Sequence, residues 1–462
     1  MTLIKSISGI RGTIGGAIGD ALTPIDIVKY TAAYAAELKR RRPGQESYKV
    51  VVGRDGRLSG KMVEQLVCGT LIACGVNVVD AGMASTPTTE MAVIFEKADG
   101  GIILTASHNP RQWNALKLLN EKGEFLTDAE GKALLKVAEE ESFSFADVET
   151  LGKIEHKDFT QQHIEAVIQD PLVDKSAIYK AGFKVVLDAI NSIGGPTMPQ
   201  LLEQLGVECI GINCEPTGDF AHNPEPLPQN LTDLSAKVVE VGADLGISVD
   251  PDVDRLAFIC EDGTPFGEEY TLVSVADYVL DNRRGPTSSN LSSSRALRDV
   301  TEAKGLTYYT AAVGEVNVTT KMREVGAVIG GEGNGGVIYP ALHYGRDAYM
   351  GVALFLSNLA HKKLTASQMR DSYPKYFISK NRIDLSDTSV IEKIFEHLKA
   401  KYANEKITTI DGVKIDFEAD RSWVILRKSN TEPIIRIYSE APTKEAADQL
   451  AEKIIADAKS VM

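Results

Sequence analysis

Short β-branched runs alternate with amphipathic stretches along most of this chain, and that alternation restricts it to few architectures. Tyr48–Val52 leads through Gly53-Arg54-Asp55-Gly56 into a helical pattern from Ser59 to Cys74. Phe183–Leu187 leads through Asn191-Ser192-Ile193-Gly194-Gly195 into another near Thr197–Leu205, and Leu245–Val249 and Leu256–Cys260 flank an acidic loop. Short apolar strands separated by helices predict βα units with largely parallel sheets covered on both faces. A chain of 462 residues exceeds one hydrophobic core, so three or four domains are expected. The similarity of the strand–glycine–helix units points to a repeated domain. Joints are expected near 145–157, 258–268 and 364–380, giving domains 1–150, 151–257, 258–370 and 371–462. The last differs in character. Strands around Ile407–Phe417, Ser422–Leu426 and Ile434–Tyr438 precede a closing helix with apolar Ala447, Leu450, Ala451, Ile454, Ile455 and Ala458, an α+β module.

Charge narrows the function. Fifty basic against 64 acidic residues give −14, which argues against a nucleic-acid surface or adhesion to anionic lipid. No apolar run is long enough to span a bilayer, and the start Met1-Thr2-Leu3-Ile4-Lys5-Ser6 lacks a secretion-signal layout, so a cytoplasmic location is expected. The five cysteines form no CxxC pair and suggest neither zinc nor a disulfide framework. An acidic protein can still take a phosphorylated ligand, through a locally concentrated set of cations and backbone N–H groups.

Four short constellations carry the chemistry. Thr105-Ala106-Ser107-His108-Asn109-Pro110 follows the apolar strand Gly101–Leu104, where open α/β sheets place ligands. Ser107 reads either as a nucleophilic or phosphate-carrying serine or as part of a polar turn, and alone the stretch favours the turn. No G-x-S-x-G elbow is present, and the adjacent His108 is badly placed to serve Ser107 as base. Asp250-Pro251-Asp252-Val253-Asp254-Arg255 follows an apolar strand and precedes another. Read as an extended segment, it aims three carboxylates at one small volume, an arrangement relieved by a hard divalent cation such as Mg²⁺. An EF-hand would match acids at Asp250, Asp252, Asp254 and Glu261, but Arg255 stands where its glycine is needed and strands replace its helices. An aspartyl-nucleophile phosphatase also begins Asp-x-Asp after a strand, and this chain departs from it at Asp254.

Gly330-Gly331-Glu332-Gly333-Asn334-Gly335-Gly336 permits close backbone approach, and reads either as a loop with Glu332 and Asn334 on one side to read sugar hydroxyls or as a hairpin loop. Arg427-Lys428-Ser429-Asn430-Thr431-Glu432-Pro433, with Arg436, reads as an anion cradle or as a polar turn before the strand Ile434–Tyr438.

Taken in order, Ser-His-Asn-Pro, Asp-Pro-Asp-x-Asp-Arg, Gly-Glu-x-Asn-Gly-Gly and Arg-x-Ser-Asn-Thr-Glu-Pro resemble the α-D-phosphohexomutases. The likeness runs from Ser8-Gly9-Ile10-Arg11-Gly12 to the closing helix. It implies three similar α/β domains with mixed sheets and a C-terminal α+β domain, arranged around a central cleft. It further implies a phosphoserine at Ser107, and one Mg²⁺ held by Asp250, Asp252, Asp254 and that serine. Glu332 and Asn334 would form the sugar loop, and Arg427, Ser429, Asn430, Thr431 and Arg436 the phosphate loop. Arg11 and Lys117 would lie near the reacting oxygen, with Arg255 on the phosphoserine. Asn114-Ala115 stands where many relatives have Asn-Gly, and Gly336 replaces a loop histidine found in many bacterial members, which shifts acid/base work toward Lys117, His108 and Arg11.

The implied activity is an isomerase that interconverts hexose 6- and 1-phosphates, with a sugar bisphosphate as intermediate or activator. Glucosamine phosphate is the favoured substrate, with mannose or glucose phosphates as the alternative. Lys117 is expected to be the general base, its pKa lowered by desolvation among cations. A monomer or homodimer is expected, with a small phosphosugar as the only partner. A phosphatase using Asp250 is the rival from another class; a non-catalytic sugar-phosphate binder is disfavoured by Ser107 and the triad.

Overall fold

The alternation resolves into four sheets. A computed structural model of the chain describes residues 2–6, 9–429 and 433–462. The first sheet runs Ile4–Ser6, Gly9–Thr13, Trp113–Leu119, Gly100–Leu104, Lys49–Arg54, Asn77–Met83, Ile154–His156. Gly100–Leu104 lies at its centre, buried along its whole length, parallel to Lys49–Arg54 and antiparallel to Trp113–Leu119. That register sets Lys117 opposite Ile103 and Arg11 opposite Ala115. The helix Thr86–Glu96 starts after Ser85, whose hydroxyl accepts from the Thr88 N–H at 3.1 Å, with Pro87 pre-set in the first turn.

The second sheet runs Leu256–Cys260, Leu245–Val249, Lys184–Asp188, Glu208–Ile212. Its first two strands form an antiparallel hairpin whose loop carries the acidic triplet. The domain boundary drawn at 257/258 therefore passes through a strand of this sheet, which closes before the turn at Asp262-Gly263. The expected helix near Thr197 begins earlier, at Gly194, and ends on Gly206.

The described residues form two units, Met1–Thr271 with Gly335–Ser367, and Leu272–Asn334 with Gln368–Met462. The return of Gly335–Ser367 to the first unit follows from its helix Ala348–Lys362, in which every residue from Ala348 to Leu359 is buried. Phe355 of that helix stacks on Phe258 with ring centres 3.9 Å apart.

In the second unit Tyr308–Ala311, Thr287–Asn290 and Ile329–Glu332 run parallel in that order. The C-terminal sheet is antiparallel, in the order Phe377–Asp384, Ile434–Ala441, Ser422–Lys428, Val413–Phe417, Lys406–Thr408. The closing helix is Lys444–Lys459, and with Val390–Lys401 it seals a core of Ile394, Leu398, Ile415, Leu426, Ile437 and Ile454. The strand expected over 407–417 is two, divided at Asp411-Gly412, where Gly412 takes a φ of +78°. Among the described residues no helix is long and apolar enough to cross a membrane.

Candidate active site

Ser107 leaves the central strand in a left-handed conformation, φ +48°, which non-glycine residues adopt at a cost. Its surroundings over-determine it. The Ser107 N–H donates to Thr105 Oγ1 at 2.9 Å, and that hydroxyl donates to Asp55 Oδ2 at 2.6 Å. Arg57, fully buried beside Asp55, takes four carbonyls of the same loop: those of Asn109 (2.8 Å), Pro110 (2.9 Å), Trp113 (2.9 Å) and Ser107 itself. Sequence reasoning passed over Arg57, because Asp55-Gly56-Arg57 alone reads as a turn.

The Ser107 hydroxyl donates to Asp250 Oδ2 at 2.7 Å, whereas His108 Nδ1 lies 3.4 Å from it. Asp250, Asp252 and Asp254 have no exposed surface, and their carboxylates converge so that one oxygen of each lies within 4.8 Å of the others. The convergence has a different cause from the one expected. The segment is not extended: the Val253 N–H turns back to the Asp250 carbonyl (3.0 Å), with Val253 at φ +62°. For a β-branched residue this is a strained conformation.

The three carboxylates sit in unlike environments. Asp250 Oδ1 accepts from the N–H groups of Asp254 (3.2 Å) and Arg255 (3.1 Å). Burial, with Asp252 and Asp254 close by, pushes its pKa well above the carboxylate range. Asp252 Oδ2 takes Lys117 Nζ and Thr86 Oγ1, each at 2.6 Å. Burial pushes this group up, but Lys117 outweighs it and holds the pKa below the ordinary value. Asp254 Oδ2 takes Arg346 Nη2 at 2.7 Å and Lys117 at 3.3 Å. The other oxygens of Asp252 and Asp254 are buried with no hydrogen-bond donor among the described residues. Two orphaned anionic oxygens beside a serine hydroxyl, all hard donors, fit a divalent cation.

The cations differ from expectation at one position. Burial lowers the Lys117 pKa, but contact with Asp252 and Asp254 more than reverses it, so the amine is raised and protonated. The lowered pKa expected of a lysine among cations is corrected accordingly: its neighbours are carboxylates. Arg11 is depressed by burial and by Arg255. His108 is driven down to about 2, mainly by burial and then by Arg255, and is a neutral imidazole at physiological pH. Arg255 itself lies 3.9 Å from Asp250 and 3.7 Å from Glu225. The first unit thus brings together Ser107, His108, Lys117, Arg11, Arg255 and the triad.

Within the second unit, Glu332 is buried and its Oε1 accepts from Asn290 Nδ2 (2.8 Å) and the Gly314 N–H (3.2 Å). Asn334 Nδ2 lies 3.4 Å from Glu332 Oε2, so the two share a face. The neighbouring Val313 N–H donates to Asp411, which pairs with Arg427 at 2.7 Å. One short segment, Val313-Gly314, thereby links the Glu332 loop to the Arg427 strand. Ser429 is buried, its N–H on the Ile434 carbonyl; Asn430 and Thr431 lie outside the described residues. Arg427, Arg436 and Arg382 stand in register on three adjacent strands. Like charges directly opposite one another destabilise a sheet; here Asp411 pairs with Arg427 and Asp384 lies 3.5 Å from Arg382. Arg382 lies on the strand Phe377–Asp384, which the sequence pattern did not disclose.

Profiles of the phosphoglucomutase/phosphomannomutase family match in sequence: α/β/α domain I at residues 3–145, domain II at 161–263, domain III at 267–376 and the C-terminal domain at 383–457. A phosphoglucomutase/phosphomannomutase of Thermococcus kodakarensis is 37% identical, with 96% of each chain covered. A probable phosphoglucosamine mutase of Pyrococcus abyssi is 32% identical over 98% of this chain and 97% of its own. The crystal structure of a family protein from Burkholderia thailandensis superposes with a TM-score of 0.84 at 27% identity, covering 99% of this chain and 98% of the other. The chain belongs to the phosphoglucomutase/phosphomannomutase family, the α-D-phosphohexomutases, and is an isomerase of that class.

Proposed function

We propose that the protein interconverts hexose 6-phosphates and 1-phosphates with Ser107 as phosphoryl carrier, and that glucosamine phosphate is its substrate. The observation that carries the reading is the Ser107 hydroxyl at 2.7 Å from Asp250, inside a buried triad with two unpartnered oxygens. Asp250, Asp252, Asp254 and the serine oxygen would hold Mg²⁺, which when bound neutralises charge on a transferring phosphoryl group. In the cycle the phosphate on Ser107 passes to a free sugar hydroxyl: the P–O bond to the serine breaks, one to the sugar forms, and the proton the sugar hydroxyl loses is matched by the one the serine oxygen gains. The resulting bisphosphate turns over and returns its other phosphate to Ser107. Lys117, Arg255 and Arg346 place positive charge around the anionic site, while Glu332 and Asn334 are suited to sugar hydroxyls. Arg427, Ser429 and Arg436, with Asn430 and Thr431, are suited to the phosphate that is not reacting.

A phosphatase with Asp250 as nucleophile is poorly supported. Both of that residue's oxygens are engaged, Oδ2 by the Ser107 hydroxyl and Oδ1 by the N–H groups of Asp254 and Arg255. Mass spectrometry of the isolated protein should locate phosphate on Ser107, and a hydroxylamine-sensitive acyl phosphate on Asp250 would sink the proposal. Ser107→Ala should lose turnover by orders of magnitude. The substrate is decided by parallel assays with glucosamine, mannose and glucose 6-phosphates. The 32% relative's name favours the first and the 37% relative's the others.

A further inference from the structure

Behind the acidic triad lies a second cluster that the proposed cycle does not use. His163, His343 and Asp347 bring one ligand-type atom each within 4.8 Å of the others, and all three are buried, as is Glu90. His163 Nε2 lies 2.9 Å and His343 Nε2 3.2 Å from the same oxygen, Asp347 Oδ2. The far sides of both rings reach one helix, Thr86–Glu96: His163 Nδ1 is 3.0 Å from Thr88 Oγ1, and His343 Nδ1 is 3.4 Å from Glu90 Oε2. Asp347 is thus tied to that helix by two routes.

Each end of these routes grips the triad loop. At the start of the helix, the Thr86 N–H donates to the Asp252 carbonyl at 2.9 Å and its hydroxyl to the Asp252 carboxylate. At the other end, Asp347 Oδ1 caps the helix Ala348–Lys362 by accepting from Tyr349 N (2.8 Å) and Met350 N (3.2 Å). Its neighbours complete the hold: Arg346 donates to Asp254, and the Ala348 N–H to the Val253 carbonyl at 3.3 Å. Val253, strained at φ +62°, lies between the two gripped aspartates.

We infer that His343 is a positioning residue for the triad: with Glu90 and Asp347 it locks the two segments that hold Asp252 and Asp254 into one buried unit. The inference rests on reading the triad as a metal site. Charge explains why a histidine is needed. Glu90 and Asp347 are two buried carboxylates, and His343 is the imidazole that lies against both. Burial alone would lower its pKa, yet the two carboxylates lift it to about 10, so it serves as their shared cation. Breaking such a unit by removing the cation leaves two buried like charges pressing apart. That pressure bears on the segments that set the spacing of Asp252 and Asp254. Outer partners of metal ligands commonly tune affinity by 10–100-fold.

The test is a Mn²⁺ titration of the full protein without substrate, read by electron paramagnetic resonance, alongside Mg²⁺-dependent kinetics. His343→Gln should weaken Mn²⁺ binding, and raise the half-saturating Mg²⁺, by about tenfold. kcat at saturating Mg²⁺ and the KM for hexose phosphate should stay near wild type. In Glu90→Gln/His343→Gln one buried charge is removed as well, and most of the Mn²⁺ affinity should return; a residue that only fills space would show no such rescue. Phe355→Leu, on the same capped helix, should lower thermal stability and leave Mn²⁺ affinity unchanged. Wild-type Mn²⁺ affinity in His343→Gln, no rescue in the double variant, or an equal shift in Phe355→Leu would each overturn the inference. So would a transition metal retained stoichiometrically in a form lost on His163→Asn, since the cluster would then be a metal site itself. A wild-type protein that binds no Mn²⁺ would instead remove the metal reading, and this inference with it.

Discussion

Arg57→Lys separates the charge of a buried cation from its shape. The guanidinium serves five acceptors, Asp55 Oδ2 at 2.9 Å and the carbonyls of Ser107, Asn109, Pro110 and Trp113. A lysine keeps the charge that compensates buried Asp55, but an ammonium has three donors and no planar fork. At least two buried acceptors lose their partner, at about 1–3 kcal/mol each. The lower bound, about 2 kcal/mol, corresponds to a factor of roughly 30 between the native loop and its alternatives. The loop holds Ser107 at φ +48°, so the loss falls on the reacting hydroxyl and not on the distant sheets. Expected is a kcat reduced tenfold or more at saturating substrate and Mg²⁺, with denaturant midpoints of the whole chain shifted far less than in Arg57→Ala. Arg57→Ala strands Asp55 as an unpaired buried charge and should cost about 3–5 kcal/mol. A wild-type kcat in Arg57→Lys would refute the assignment of Arg57 as the residue that sets the serine's conformation.

Three further outcomes follow from the same geometry. Asp254→Asn should raise the Mg²⁺ needed for half-maximal turnover at least tenfold, and EDTA should abolish wild-type activity reversibly; undiminished turnover in EDTA would contradict the metal reading. Glu440 is buried against Trp423 Nε1 (2.7 Å) and the Arg295 N–H (2.9 Å), and burial raises its carboxyl to about 7. The folded chain therefore holds a proton that the unfolded chain has released, so this residue makes stability fall as pH rises from about 4.5 to 7, by up to about 3 kcal/mol. Denaturant midpoints of Glu440→Gln between pH 4.5 and 8 should show that slope removed, and an unchanged slope would refute it. Arg382→Ala should raise the KM for hexose phosphate by roughly threefold with kcat unchanged, a small effect because the side chain is exposed; a KM equal to wild type would show that the arginine row ends at Arg436.

The parts of the site that the sequence disclosed share a local cause. Ser107 and the aspartates each sit in a loop directly beyond a fully buried strand, Gly100–Leu104 or Leu245–Val249, so an apolar run announced the position and the polar residues after it announced the chemistry. The strand Phe377–Asp384 gave no such signal. Only Ile383 of its eight residues is fully buried, as expected of an edge strand, and its polar composition reads as a connector. Arg57 failed for another reason: its four carbonyl acceptors lie 50 to 56 positions along the chain, and a turn sequence says nothing about them.

The aspartates show most sharply where such reading stops. In the sequence Asp250, Asp252 and Asp254 are three equivalent letters at alternate positions, from which their mutual repulsion and its relief by a cation can be inferred. In the fold they are chemically unlike. Asp250 receives a serine hydroxyl and two backbone N–H groups and is pushed toward the neutral acid; Asp252 receives a lysine and a threonine and is held anionic. The difference is set by Lys117 and Thr86, residues more than 130 positions away, and by a backbone reversal at Val253 that no alternation rule anticipates. The error about Lys117 has the same root. Its sequence neighbours are Leu116 and Leu118, which announce burial, and burial by itself lowers a lysine. Which charge meets the buried amine decides the sign, and that charge belongs to another domain of the chain.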